Sequence, residues 1–417
     1  MKILVVGSGG REHAILHKLS MSDKKPTLFA APGNAGMAEL AKCVNLSVED
    51  IGGLMAFAKD EEIDLTIVGP ELPLVLGIVD AFEANGLKIF GPNKVAAQFE
   101  GSKDFTKSFL ERHGIPNAHS ETHIEYADAI LALKRFDYPV VIKADGLAAG
   151  KGVVIAENEA DAIQFLDEIM LKKVFGDSGS KVVIEQFLKG VEASILCFVD
   201  GETILPMSPA QDYKKAFDGD LGLNTGGMGT YSPSKMIDDV MMAAIQTKIL
   251  DPFIKGIKMD GIHFKGILFV GIMIDGDEIN VLEYNVRLGD PETEVTLIRM
   301  ENDLIDVIEA VMNDQLHTVN LSWSDAHAVC VILASGGYPE VYEKNKQIFG
   351  IDDVRLNAFV YHFGTKREAG NFYTNGGRVL GVTATGQTLE EARASAYECV
   401  KEIHFEGMTY RSDIGKF

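Results

Sequence analysis

Cysteine is scarce: the 417 residues hold four, at positions 43, 197, 330 and 399, with no CxxC among them. That spacing excludes a disulfide-stapled scaffold and a zinc knuckle, and predicts reduced, mostly buried thiols. Long hydrophobic runs are missing too. The longest, Ile267 to Ile274 with Gly271 inside it, has eight residues, against the roughly 20 that a membrane-spanning helix needs. The N-terminal KILVV run meets GSGGREH instead of a small-residue cleavage site, so it reads as a strand and not a signal peptide, and the expected compartment is the cytoplasm. Positive charge is in deficit. Lys and Arg number 39 against 61 Asp and Glu, a net charge of −22, and a surface of that sign repels phosphate backbones and anionic lipid. Nucleic acid and membranes are therefore poor partners, whereas a metabolite anion can still bind where backbone N–H groups and a few cations act locally.

What is present is enough for more than one core. At roughly 150 residues per domain the length implies two to three domains, and 46% hydrophobic with 24% charged residues is an ordinary globular balance that excludes disorder as the dominant state. The first hundred residues alternate short β-branched runs (2–6, 27–30, 64–68, 88–90) with amphipathic stretches (12–19, 51–59, 74–85). This βαβα pattern predicts an open parallel α/β sheet. Three strands end in small-residue loops, GSGG at 7–10, APGNAG at 31–36 and GPE at 69–71; the carboxyl ends of such strands are where ligands bind, so these loops are expected to line one crevice.

From Gly101 the pattern changes to a sheet-plus-helix layer. Helices are expected over 103–113 and 160–170, with strands at 139–143, 152–156, 181–187 and 193–199, the last two as antiparallel neighbours. The glycine-rich stretch 218–229 predicts a mobile or ligand-enclosing loop. A helix near 238–255, strands at 266–274 and 278–284 and a helix at 304–312 complete this region. A third unit has strands at 326–334 and 378–385 and a helix at 389–403. No repeat or low-complexity segment occurs.

Several motifs come close to familiar ones and fail. Gly7-Ser8-Gly9-Gly10-Arg11-Glu12 has Glu12 at the third glycine position of a dinucleotide fingerprint, and no acid closes the second strand, so nothing holds an adenosine ribose there. The loop remains suited to an anion, with Arg11 adding charge, or to a bare tight turn. KADGLAAGKGV at 143–153 has three residues between Gly146 and Gly150 and Gly152 after Lys151, which is not a Walker motif. It reads as a glycine hairpin between two strands, able to close over a triphosphate or simply flexible. His119 and His123 lack partner ligands for a metal.

Glu283, Asn285 and Arg287 share one strand face, opposite Tyr284 and Val286. Carboxylate and amide oxygens suit Mg²⁺, and an arginine fork beside them suits a carboxylate or phosphate. The bland reading, a solvated polar face on an edge strand, is opposed by the apolar run before it. Glu185 and Glu192 flank Gln186-Phe187-Leu188-Lys189-Gly190, a workable adenosine site or a surface turn.

Taken together, GSGGREHA at 7–14, PGNAG at 32–36, GPE at 69–71, KADGLAAGKGV at 143–153, LNTGGMG at 223–229, NVRLGDPE at 285–292 and YRSDIG at 410–415 resemble the phosphoribosylamine–glycine ligases of the ATP-grasp superfamily, end to end. Departures are Leu288 for a usual Phe, Gln186 for a usual hinge acid, and Tyr213-Lys214-Lys215 for His-Lys-Arg. The resemblance implies an α/β N-terminal phosphoribosylamine-binding domain (1–102), an ATP-grasp domain (103–314, small lobe about 120–190) and a small α+β C-terminal domain (315–417). It implies ligation of glycine to 5-phosphoribosylamine with ATP and Mg²⁺ or Mn²⁺, by a monomer of the single-function form. By the same resemblance the nucleotide falls to Lys103, Lys143, Gly150, Lys151, Gly152, Glu185, Phe187, Leu188 and Glu192, and the metal to Glu283 and Asn285. Gly9, Gly10 and Arg11 would hold the sugar phosphate, and Asn34 and Glu71 the sugar. Arg287, Asp290 and the loop Asn224, Gly226, Gly227, Met228 and Gly229 would place glycine, with Asp212 as candidate general base. Another ATP-grasp ligase or carboxylase, or a nucleotide-binding regulator without turnover, is the competing reading.

Overall fold

In the computed structural model, which describes residues 1–148, 152–354 and 358–416, the N-terminal alternation folds into a five-stranded parallel sheet. Its order is Lys42–Cys43, Thr27–Pro32, Lys2–Gly7, Leu65–Val68 and Ile89–Phe90. Successive residues of the first strand enter different cores, Ile3 and Val5 on one face and Leu4 and Val6 on the other, which is why the strand reads as a continuous apolar run. Strand order reverses between Lys2–Gly7 and Leu65–Val68, placing the 7–10 and 69–71 loops at the switch point.

The chain then builds two antiparallel sheets. Ser120–His123, Val182–Gln186, Val140–Ala144 and Val153–Ala156 form a four-stranded lobe with its own core around Val140, Ile142, Phe165, Val182 and Ile184. Ile204–Pro206, Val191–Val199, Gly266–Asp275 and Glu278–Asn285 form the second. Two expectations are corrected here. The strands at 182–186 and 191–199 are not neighbours: Val182–Gln186 pairs with Ser120–His123 and Val140–Ala144, while Val191–Val199 pairs with Gly266–Asp275. Gly190, at φ +136° with the Ile274 carbonyl 2.3 Å from where a Cβ would stand, lets the chain cross between lobes; a strand pair at this spacing looks like a hairpin only until each strand finds a longer partner. Second, Glu278–Asn285 does end its sheet. Its outer edge is covered instead by Pro116–Asn117, whose Pro116 carbonyl accepts from Val281 N–H at 2.8 Å, so the polar face is enclosed although the strand is terminal.

The C-terminal sheet runs Gln211–Asp212, Gly229–Ser232, His327–Ala334, Arg378–Gly386 and Phe359–His362, with the helix Leu389–Glu402 packed on it. It thus incorporates two strands from well before position 315. The 218–229 stretch is no open loop either: Lys215–Phe217 and Leu221–Asn224 pair as a hairpin. Cys197, Cys330 and Cys399 are buried and Cys43 half-buried, all unpaired. Among the described residues no helix is long and apolar enough to cross a membrane.

An aromatic cluster joins the units. Phe99 packs against Phe105, Phe109, Phe253, Phe264 and Tyr284 with ring centroids between 4.8 and 6.2 Å, and edge-on pairs of this kind add to the apolar area they bury. At the opposite interface, His17 of the helix Gly10–Ser20 stacks on Phe359 at 3.7 Å, and its Nδ1 is 3.0 Å from the Tyr361 hydroxyl. Burial, with Lys18 alongside, pushes His17 from the usual 6.5 down to about 4. The unfolded chain therefore binds the proton more readily, so this contact's stability is present above pH 6.5 and is lost as pH falls toward 4. We expect Tm to drop over that window and the drop to be smaller in His17→Phe, as measured by thermal unfolding at a series of pH values.

Candidate active site

The edge strand ends in a bulge: Gly271 opposes Glu283 and Ile272 opposes Val281, leaving Leu282 as the extra residue. Beyond it Tyr284 and Val286 are buried in the core, and Glu283, Asn285 and Arg287 turn the other way. Asn285 Nδ2 donates to Glu283 Oε1 at 3.4 Å and Arg287 Nη2 to Asn285 Oδ1 at 3.3 Å, so the three predicted residues do form one polar row. Glu100, which carries no motif and was missed in the sequence, braces that row. Its Oε2 accepts from Val286 N–H at 2.8 Å and its Oε1 is 2.9 Å from Arg287 Nη2. Burial pushes the Glu100 carboxyl up to about 7 against the pull of Arg287. Glu71 faces Arg287 Nε at 3.3 Å; burial alone would raise it, and the Arg287 and Arg11 charges hold it below its usual range. Arg287 is thus already paired on two sides.

A lysine cluster stands across from this row. Lys143 Nζ is 2.9 Å and Lys107 Nζ 3.3 Å from Glu185 Oε2, all three side chains being buried. Lys143 also donates to the Leu282 carbonyl at 3.3 Å, and Lys103 to the Gly146 carbonyl at 3.2 Å. Lys107 was missed, although its i,i+4 spacing from Lys103 on the helix Lys103–Arg112 puts both on one face. Lys214 Nζ is 2.9 Å from Glu192 Oε2. Against burial, Lys214, Lys143 and Lys103 hold Glu283 below its usual range, that is, ionised; burial acts against Lys214 as well, and Glu192, Glu283 and Asp212 push it up, so its ammonium stays charged. Burial pushes Lys103 and Lys107 down. An ionised carboxylate and an amide oxygen on one face fit a hard divalent cation that takes one or two protein groups and completes its shell with phosphate oxygens.

Between the lobes, Gln186 N–H donates to the His119 carbonyl at 2.9 Å, Phe187 and Leu188 are half-buried, and buried Glu185 Oε1 has no hydrogen-bond partner. Gly152 closes the hairpin base, its carbonyl accepting from Ala144 N–H at 2.8 Å. Gly150 and Lys151 lie outside the described residues.

The N-terminal loops are organised differently from expectation. Glu12 Oε2 accepts from Gly9 N–H at 2.6 Å, and Glu12 Oε1 accepts from Arg11 Nε at 2.6 Å. A Cβ at Gly69 would lie 2.1 Å from that carboxylate, so Glu12 fills the switch-point crevice where a dinucleotide pyrophosphate would enter. Arg11 is 7% exposed and donates to the Leu288 carbonyl at 3.0 Å; it points inward, and Gly10 is buried beside it. Asn34 uses its whole amide internally, donating to the Ser8 and His362 carbonyls at 2.8 and 2.7 Å and accepting from Gly36 and Met37 N–H.

What those loops do line is a cavity of about 350 Å³ shared with the C-terminal sheet: Ser8, Gly9, Gly33 and Asn34 on one side, Phe363, Gly364, Thr365, Asn375 and Gly376 on the other, with Asp290, Tyr338 and Arg378 closing it. The C-terminal half of this lining was missed, and Asn375-Gly376-Gly377-Arg378 ahead of a buried strand was the available signal. Arg378 Nη1 lies 2.8 Å from Asp290 Oδ1 and donates to the Asp290 and Gly226 carbonyls at 3.0 and 2.7 Å. It thereby joins the glycine loop to the 285–292 segment. In that loop Gly227 is at φ +110°, and a Cβ there would lie 2.4 Å from Pro291 Cδ and 3.4 Å from Asp212 Oδ1. Asn224 is exposed, while Met228 and Gly229 are buried. Burial pushes Asp212 well above the usual carboxylate range, and Glu292's charge adds to the rise; burial also raises Glu292, which accepts from the Ser194 hydroxyl at 3.3 Å.

Comparison with known proteins bears on this arrangement. The phosphoribosylglycinamide synthetase N domain, ATP-grasp (A) domain and C domain match residues 1–100, 101–293 and 328–417 in turn. The chain is 51% identical to a phosphoribosylamine–glycine ligase of Caldanaerobacter subterraneus subsp. tengcongensis, over 99% of each chain, and 46% identical to that of Vibrio parahaemolyticus, over 100% of this chain and 98% of the relative. It superposes on the crystal structure of the Thermotoga maritima phosphoribosylamine–glycine ligase with a TM-score of 0.88 at 33% identity, covering 99% of this chain and 100% of the other. A biotin carboxylase of Campylobacter jejuni shares the fold at a TM-score of 0.74 and 15% identity, over 100% of this chain and 94% of the other. With all three domains matched in order and relatives this similar over the full length, the chain belongs to the phosphoribosylamine–glycine ligase family.

Proposed function

We propose that the chain performs the family's ligation by first activating glycine as glycyl phosphate and then passing it to the amine of 5-phosphoribosylamine. The observation that carries this reading is the meeting, at Asp290, of two preorganised regions. One is the lysine-ringed Glu283–Asn285 row, suited to a nucleotide. The other is the cavity behind Arg378, suited to an anionic sugar.

A carboxylate is a poor acyl donor because its leaving group would be an oxide, so the γ-phosphoryl of ATP must first be transferred to it. Lys143 and Lys103 cradle the phosphates, and the orphan acceptor Glu185 Oε1, with the backbone of Phe187 and Leu188, reads the adenine edge; Glu192 takes the ribose. Glu283 and Asn285 would hold Mg²⁺ or Mn²⁺, which when bound would supply neutralisation of the phosphate charge. Asp290 and the Asn224–Gly229 loop place glycine, with Arg287 fixed beside them by Glu71 and Glu100. The sugar phosphate lies against the Gly9, Gly364 and Gly376 turns, and Arg378 is the one cation lining that cavity among the described residues. Asp212, beside the glycine loop and made more basic than an ordinary carboxylate by burial, is the group to take the proton that the attacking amine sheds. No covalent enzyme nucleophile is needed, since positioning and electrostatics supply the gain.

The direct test is ADP release by purified protein with Mg-ATP, glycine and freshly generated phosphoribosylamine, omitting each in turn. Release that needs both acceptor substrates is the expected result; release that ignores glycine, or that proceeds with formate or bicarbonate in its place, overturns it. Glu283→Ala is expected to abolish turnover with an unchanged circular dichroism spectrum, and near-normal activity in that variant would refute the metal assignment. Gly227→Ala, which must strain the loop or displace Pro291, is expected to lower kcat/KM for glycine about 10- to 100-fold, measured under saturating ATP with the ATP KM as internal control.

A further inference from the structure

The C-terminal segment Tyr410-Arg411-Ser412-Asp413-Ile414-Gly415 takes no part in the chemistry above, yet Arg411 is 1% exposed and among the largest fully buried side chains. Its guanidinium is engaged on every side. Nε and Nη2 donate to the two oxygens of Asp413, each at 2.7 Å. Nη1 donates to Asp220 Oδ1 at 2.8 Å and to the Lys215 carbonyl at 3.1 Å. The plane lies 4.9 Å from the ring centroid of Tyr213, within cation–π range. Two of these partners, Lys215 and Asp220, belong to the hairpin Lys215–Asn224, and its turn is tied down a second time by Gly219 N–H donating to Asp413 Oδ2 at 2.9 Å and Ser412 N–H to Asp218 Oδ1 at 2.7 Å. Gly415 N–H donates to the Tyr213 hydroxyl at 3.0 Å.

The strapped hairpin is continuous with the groups that meet the acceptor. Lys214 precedes it, and its carbonyl accepts from Thr225 N–H and the Thr225 hydroxyl, both at 2.8 Å. That hydroxyl in turn accepts from Gly227 N–H at 3.0 Å, and Tyr213 bonds through its carbonyl to Met228 N–H at 2.8 Å. A chain of short, directional contacts thus runs from Arg411 through the hairpin to the Lys214 carbonyl and to the loop that Arg378 holds from its other end. We infer that Arg411 is a positioning residue for the ligation: it fixes the hairpin so that the Asn224–Gly229 loop holds glycine in register, without touching any substrate. A planar five-donor fork can meet Asp413, Asp220 and a carbonyl at once and lie flat on an aromatic ring, which a lysine ammonium cannot. Tyr213 supplies that ring and a hydroxyl for Gly415.

The assignment rests on the ligase reading, and the experiment separates the two. Glycine-dependent ADP release is measured for the unaltered full-length chain, for Arg411→Lys and for Asp220→Gly, a milder change because Asp220 stands at φ +56° where glycine is unstrained. The expected result is a KM for glycine raised about tenfold or more in Arg411→Lys and less in Asp220→Gly, with the KM for ATP and the Mg-ATP-induced rise in Tm changed by no more than about twofold. If Arg411→Lys does not fold, Asp220→Gly alone decides. Glycine constants within about twofold of the unaltered chain in a folded variant, or glycine and ATP constants that deteriorate together, would overturn the positioning role. Absence of glycine-dependent release in the unaltered chain would overturn the ligase reading itself, and this assignment with it.

Discussion

Charge can be enclosed where three folding units meet only if each buried group is matched by an opposite one, and this constraint shapes the whole junction. Removing one partner of a buried pair leaves an uncompensated charge, which costs several kcal/mol by order of magnitude. Accordingly Glu185 lies between Lys107 and Lys143, Arg287 between Glu71 and Glu100, Arg11 against Glu12, and Arg378 against Asp290. Apart from Arg11 and Glu12, neighbours on one helix, each pair joins residues from different parts of the chain, so satisfying charge and docking the units are largely the same event. The chain's overall surplus of acid does not prevent phosphate binding, because this junction gathers lysines and arginines locally.

The same matching divides labour among the units. Glu12 occupies the switch-point crevice that other open α/β sheets give to a dinucleotide, which leaves the Ser8–Gly9 and Gly33–Asn34 turns to face the C-terminal sheet instead. The small lobe contributes the strand with Lys143 and the hinge at Glu185; the larger sheet contributes the Glu283–Arg287 row. The C-terminal unit holds the glycine-rich loop through Arg378 at Gly226 and the hairpin that precedes it through Arg411 at Asp220. Its two strands drawn from residues 211–232 make it part of the site and not an appendage.

Much of this was legible in the residues. Period-two alternation around Tyr284 and Val286 placed Glu283, Asn285 and Arg287 on one face because side chains alternate along a strand, and the fingerprint with Glu12 at its third glycine and no acid closing the second strand counted against a dinucleotide. Local pattern also identified the parallel sheet, since βα alternation with β-branched runs has one common solution. The motif strings carried the family.

What local pattern could not carry is pairing over long distances. Whether Val191–Val199 lies beside Val182–Gln186 or beside Gly266–Asp275, whether an edge strand is open or covered by Pro116, and whether Arg11 faces a ligand or the Leu288 carbonyl depend on segments tens to hundreds of residues away. Glu100, Lys107, Arg378 and Arg411 share this character: each is an ordinary charged residue in its own segment and acquires a function only from the partner that folding brings to it. The sequence by itself determined the N-terminal parallel sheet, the chemistry of the Glu283–Arg287 row and the kind of reaction, but not the short strands of the 211–232 stretch. Only the tertiary structure decided which charges are neutralised by one another and which remain for substrates, because that balance is struck between atoms distant in the chain and adjacent in space.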